Sequence, residues 1–162
     1  MANLLATARS SVPLAGQETM LNFHAQIEPG RGAAGLSIGD PIGPLPEAER
    51  HAARDLGNGL TLLDFGSVRV WARGGAVEQI GLRGQYNGCV AGTAIGVGST
   101  LQQVVDALGP VGEDEEDNLV ALEIPGLCFE TEAWRGEAGR ETVEENLDAQ
   151  LTEIFVFDAE AS

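Results

Sequence analysis

Residues 60–82 read Leu60-Thr61-Leu62-Leu63-Asp64-Phe65-Gly66-Ser67-Val68-Arg69-Val70-Trp71-Ala72-Arg73-Gly74-Gly75-Ala76-Val77-Glu78-Gln79-Ile80-Gly81-Leu82, and this stretch decides the fold. Gly66 separates two apolar runs, and Val68, Val70 and Ala72 alternate with Arg69, Trp71 and Arg73, the period of two that marks a half-buried strand. Gly74-Gly75 is a turn signal that leads into Val77 to Leu82. The stretch therefore predicts a three-stranded antiparallel meander.

The same order recurs downstream. Gly35-Leu36-Ser37-Ile38-Gly39 precedes the first meander and Gly92-Thr93-Ala94-Ile95-Gly96 precedes a second. That second meander is expected over Leu119 to Phe129 and Leu151 to Phe157, with Pro125-Gly126 as its turn. Leu62-Leu63-Asp64-Phe65 aligns with Ala121-Leu122-Glu123-Ile124, and Val77-Glu78-Gln79-Ile80 with Leu151-Thr152-Glu153-Ile154. Two copies indicate a duplicated unit rather than a solenoid.

Between each lead segment and its meander a helix is expected. Leu101, Val104, Val105 and Leu108 fall on one stripe, and Ser99 or Thr100 caps the start with Gln102 or Gln103 three residues on. Gly109 and Pro110 end it. The counterpart runs from about Pro46 to Leu56, with Leu45, Ala48, Ala52 and Leu56 on one face and Gly57 after it. The expectation is an α+β fold of two related helix-plus-antiparallel-meander halves, with helices packed on antiparallel sheet. Residues 1–26 form an N-terminal segment, 27–88 the first repeat and 89–162 the second, together one compact domain.

Charge divides the chain differently. Sixteen of the 25 acidic residues lie between Glu113 and Glu160, opposed there only by Arg135 and Arg140, in a chain of net charge -16. Such asymmetry speaks of partners, because clustered like charge costs self-repulsion. The acidic residues concentrate in Gly112–Asn118 and in an insertion of about fifteen residues, Thr131 to Glu145, that carries Trp134. Long loops in small domains are usually functional or disordered. The candidate partner-binding set is Glu113, Glu115, Glu116, Asp114, Asp117, Trp134, Glu137, Glu141, Glu144, Glu145 and Asp148: an aromatic anchor in a charged surround.

No catalytic or cofactor motif stands beside this. Glu113 to Asp117 lacks the alternating ligands and central glycine of a calcium loop. Gly96-Val97-Gly98 lacks a third glycine and a following Gly-Lys-Ser/Thr, so it reads as a turn into a capped helix. His24 and His51 show no metal spacing with each other or with a cysteine, and Ser99 sits in no nucleophile elbow. No metal or cofactor is expected. Cys89 and Cys128 are expected to be reduced, buried small hydrophobes. No signal-peptide pattern and no apolar run of membrane-spanning length is present, so a soluble, cytoplasmic protein is expected. Nine scattered arginines and an acidic balance disfavour direct nucleic-acid binding; a carboxylate surface instead imitates a phosphate backbone and suits a basic cleft.

The phrase Ile27-Glu28-Pro29-Gly30 through Gly35-Leu36-Ser37-Ile38-Gly39, then a helix ending Leu-Gly and strands ending Leu151-Thr152-Glu153-Ile154-Phe155-Val156, resembles small immunity proteins of bacterial interbacterial toxin systems. The resemblance runs over most of the chain from Ile27 onward. It implies a non-enzymatic protein that neutralises one cognate toxin by stoichiometric binding. The toxin would carry a basic surface, as a nuclease or nucleic-acid-modifying enzyme does. A similar glycine, helix and strand pattern occurs in small outer-membrane assembly lipoproteins, but the lipidated cysteine they need is not matched, the first cysteine here being Cys89. Two other readings are a structural or adaptor module of a secretion or envelope assembly, and a small hydrolase using an acidic pair.

Overall fold

A computed structural model describes residues 21–42, 53–134 and 142–160. Alternating apolar residues build most of it. The strands are β1 (Gly32–Ala33), β2 (Leu36–Ser37), β3 (Ala53–Gly57), β4 (Leu60–Asp64), β5 (Val68–Arg73), β6 (Ala76–Arg83), β7 (Val111–Glu113), β8 (Leu119–Ala121), β9 (Leu127–Thr131) and β10 (Leu151–Phe157), with one helix, α1 (Leu101–Leu108). β1 and β2 make a small hairpin. The other eight form one sheet in the order β3-β4-β5-β6-β10-β9-β8-β7, with every neighbouring pair antiparallel.

This overturns the expected α+β architecture of two duplicated halves with helices packed on sheet. The fold is sheet-dominated, and among the described residues it has a single α-helix. The reason is non-local. β6 and β10 pair along Gln79–Arg83 and Glu153–Phe157, which fuses the two meanders into one sheet. The helix expected from Pro46 to Leu56 fails where it is described. Ala53–Gly57 is extended and paired with β4, while residues 46–52 lie outside the described residues. Gly57, expected just after a helix, instead opens a hairpin turn, Gly57-Asn58-Gly59, with φ of +90°, +56° and +80°, the left-handed conformations that Asn-Gly turns supply. Arg73 and Gly74 donate to the carbonyls of Asn58 and Gly59, holding that turn against the end of β5. Val111–Glu113 also forms a strand, so Gly112 and Glu113 belong to the sheet edge rather than to a loop.

α1 keeps its expected place. Thr100 accepts a hydrogen bond from the Gln103 amide and Gln103 reciprocates to the Thr100 amide, satisfying two donors left over at the helix start. Thr100→Ala should therefore cost about 1 kcal/mol in a denaturant titration, with Thr100→Ser retaining most of that.

The core lies on one face of the sheet. Val70, Ile80, Leu82, Ile154, Val156, Leu127, Phe129 and Leu119 meet Leu101, Val104 and Leu108 of α1 together with Ile27, Ala34, Leu36 and Tyr86 from the flanking segments. Tyr86 pins two of these segments, donating its hydroxyl to the Ala25 carbonyl and accepting from the Ala34 amide. The opposite face carries a register row of Asp64, Arg69, Gly81, Phe155, Cys128, Val120 and Gly112. Among the described residues no helix is long and apolar enough to cross a membrane.

Candidate functional site

The acidic surface is built on two loops. The first is the connection between β7 and β8, whose shape comes from one carboxylate. Asp114 accepts hydrogen bonds from the backbone amides of Glu116 and Asn118, at 2.8 and 2.9 Å, and from the Asn118 side chain at 3.1 Å. Partial burial raises the Asp114 carboxyl, but these bonds more than offset it and hold it below the usual carboxylate range. Asp117 then takes φ +66° and closes the turn. Glu113, Glu115, Glu116 and Asp117 are left exposed around it.

The second loop follows β9. Thr131, buried at the end of that strand, accepts from the amides of Ala133 and Trp134 and donates to Asn146. Asn146 is fully buried and donates in turn to the Thr142 carbonyl at 2.9 Å. Thr142 and Glu145 exchange side-chain-to-amide bonds, both 3.1 Å, at the start of a 3-10 turn, Glu144–Asn146. A buried polar chain with its groups paired rigidifies what it connects.

Trp134 joins the two. Its indole N–H donates to the Asp117 carbonyl at 2.9 Å, and its half-buried ring packs against the core. It thus acts as a bracket between the loops. Of the other expected site residues, Glu144 and Asp148 are exposed on the second loop, whereas the carboxylates of Asp114 and Glu145 serve local structure. Glu137 and Glu141 lie outside the described residues. Among the described residues no cluster of three His, Cys, Asp or Glu side chains is placed to hold a metal.

Sequence reasoning missed a second polar constellation, on the sheet face away from the core. Glu153 is 3% exposed and forms a two-pronged ion pair with Arg69, one contact at 3.0 Å. The pair spans from β10 to β5 across β6 because the intervening residue is Gly81. A Cβ there would stand 2.5 Å from the Glu153 carboxylate and 3.0 Å from the Trp71 ring. The Arg69 guanidinium lies 5.0 Å from the Trp71 ring centroid, and Trp71 meets Phe155 at 6.0 Å. Burial pushes the Glu153 carboxyl up, and Arg69, then Arg83, pull back without cancelling the rise, to which Glu130 adds. A glycine within the β6 run and a lone glutamate inside Leu151–Phe157 were the available signals. Nearby, burial and the charges of Asp114, Glu130 and Glu153 push the Cys128 thiol up to about 12, so it remains a protonated thiol at neutral pH. Cys89 and Cys128 are not bonded to each other.

No family model and no curated protein matches the sequence. The fold is similar to one in a solved structure, the crystal structure of the uncharacterized protein yfeY from Escherichia coli. The superposition has a TM-score of 0.51 at 15% sequence identity and covers 82% of this chain and 99% of that one. That likeness shows the fold alone.

Proposed function

We propose that this is a non-catalytic, cytoplasmic binding protein that neutralises a basic protein partner, in the manner of an immunity protein acting on its toxin. The observation that carries the reading is the Trp134–Asp117 hydrogen bond, which ties the start of the second acidic loop to the first. Glu113, Glu115, Glu116 and Asp117 on the first loop and Glu144 and Asp148 on the second are exposed. A surface organised before binding loses less entropy on docking, and concentrated negative charge accelerates encounter with a basic cleft. The mechanism is occlusion: carboxylates pair with lysines and arginines of the partner and bar its substrate.

The test begins with affinity capture from a native lysate at low salt and at ~0.5 M salt, where exposed charges are screened. A stoichiometric basic protein eluted by salt is the expected result. Replacing Glu113, Glu115, Glu116 and Asp117 with serine or alanine, with Asp114 kept to preserve the turn, should then slow its association by roughly tenfold or more at low salt and flatten the salt dependence. Association kinetics indifferent to these changes, or capture of no basic protein, would remove this surface from the function.

A further inference from the structure

The Arg69–Glu153 pair lies outside the acidic surface, and the proposed function makes no use of it. Its geometry is unlike that of an ordinary surface ion pair. Glu153 is buried and fixed to the strand that joins the two meanders, while the Arg69 side chain retains 22% of its exposure. One partner is thus locked and the other can leave. A second carboxylate is within reach of the arginine: Asp64 stands directly opposite Arg69 on β4, where it now receives Arg83 at 3.3 Å.

Among the described residues, the charged and titratable groups facing Glu153 come from three strands. Arg69 on β5 grips it, Arg83 on β6 and Glu130 on β9 are its register partners, and the Cys128 thiol on β9 feels its charge. We propose that the Arg69–Glu153 pair is a proton-operated latch. With Glu153 ionised, the guanidinium is held over Trp71 and ties β5 to β10 across Gly81. On protonation, Glu153 loses its negative charge and one acceptor position. Arg69 then turns toward solvent and Asp64, uncovering the Trp71 ring on that face of the sheet. The raised affinity of the buried carboxyl for its proton puts the event at a higher pH than for an exposed glutamate.

The two tryptophans, Trp71 and Trp134, make the latch readable. In a Trp134→Phe protein the emission of Trp71 should change sigmoidally on acidification, with a midpoint above that of an exposed glutamate. Glu153→Gln in the same background should abolish the transition and hold the acid-form spectrum throughout. A flat Trp71 signal, or a transition that persists in the glutamine variant, overturns the proposal. Should Trp134→Phe fail to fold, carboxyl-carbon and arginine Nε NMR on the unaltered protein gives the same decision. Concerted titration of Glu153 and release of the Arg69 Nε–H supports the latch, and an Nε–H that stays protected while Glu153 titrates overturns it.

Discussion

Arg69→Ala should lower the free energy of unfolding by about 3–5 kcal/mol at neutral pH, because it strands a buried carboxylate without its partner. Glu153 is 3% exposed and its backbone is fixed by β6 and β9 on either side, so its carboxylate stays poorly solvated when the arginine is cut back. Removing the negative charge as well changes the result. Glu153→Gln deletes the ion that burial penalises and leaves a group of the same shape, so the double change Arg69→Ala with Glu153→Gln should recover most of the loss. Chemical denaturation of the four proteins forms a double-mutant cycle whose coupling exceeds about 1 kcal/mol if the pair is energetically linked.

The pH dependence follows with a defined sign. The Glu153 pKa is raised in the folded chain, so between its unfolded and folded values the native state binds more protons. Stability from this group is fully present below the unfolded value and falls as pH rises through the folded one. The usual acidic-group trend is inverted. In Arg69→Ala the main opposing influence is gone and the folded value climbs further. The destabilisation should therefore shrink on acidification, a result visible in unfolding midpoints measured across the acid range. A loss that is independent of pH would assign the effect to lost packing instead.

Leu108→Asp should destabilise by roughly 4 kcal/mol, since it exchanges apolar burial for a charge set into an apolar cluster. Leu108 is 5% exposed at the last turn of α1, in a core cluster with Leu101 and Val104, and no basic residue occupies that turn. The position also lies near the negative end of the helix, which adds a small penalty for an acid. The exposed Ala107 next to it is the control. Ala107→Asp should change stability by no more than about 0.5 kcal/mol. Thermal unfolding followed by circular dichroism separates the two, and equal effects would remove the stripe from the core.

α1 and the strands β4 to β6 were legible because their signals are short-range. A cap, an apolar stripe and a glycine stop lie within ten residues, and the alternation of Val68, Val70 and Ala72 with Arg69, Trp71 and Arg73 reports its own burial. β3 was misread because Ala53, Arg54 and Leu56 are good helix formers, and pairing with β4 outweighs a preference of a few tenths of a kcal/mol per residue. The acidic loops were visible as composition. That Asp114 and Glu145 shape those loops was not, since it depends on which amides the folded backbone presents to them.

What the sequence determined by itself, then, was local: one capped helix, the central strands, their turns, and the concentration of negative charge after residue 112. Tertiary structure alone decided that the meanders share one sheet through β6 and β10, that Trp134 reaches Asp117 across 17 positions, and that Arg69 meets Glu153 across 84. The physical reason is range. Capping and periodicity act between residues a few positions apart, whereas strand order and a buried ion pair depend on which distant surfaces meet, and alternation along one strand carries no record of its neighbour.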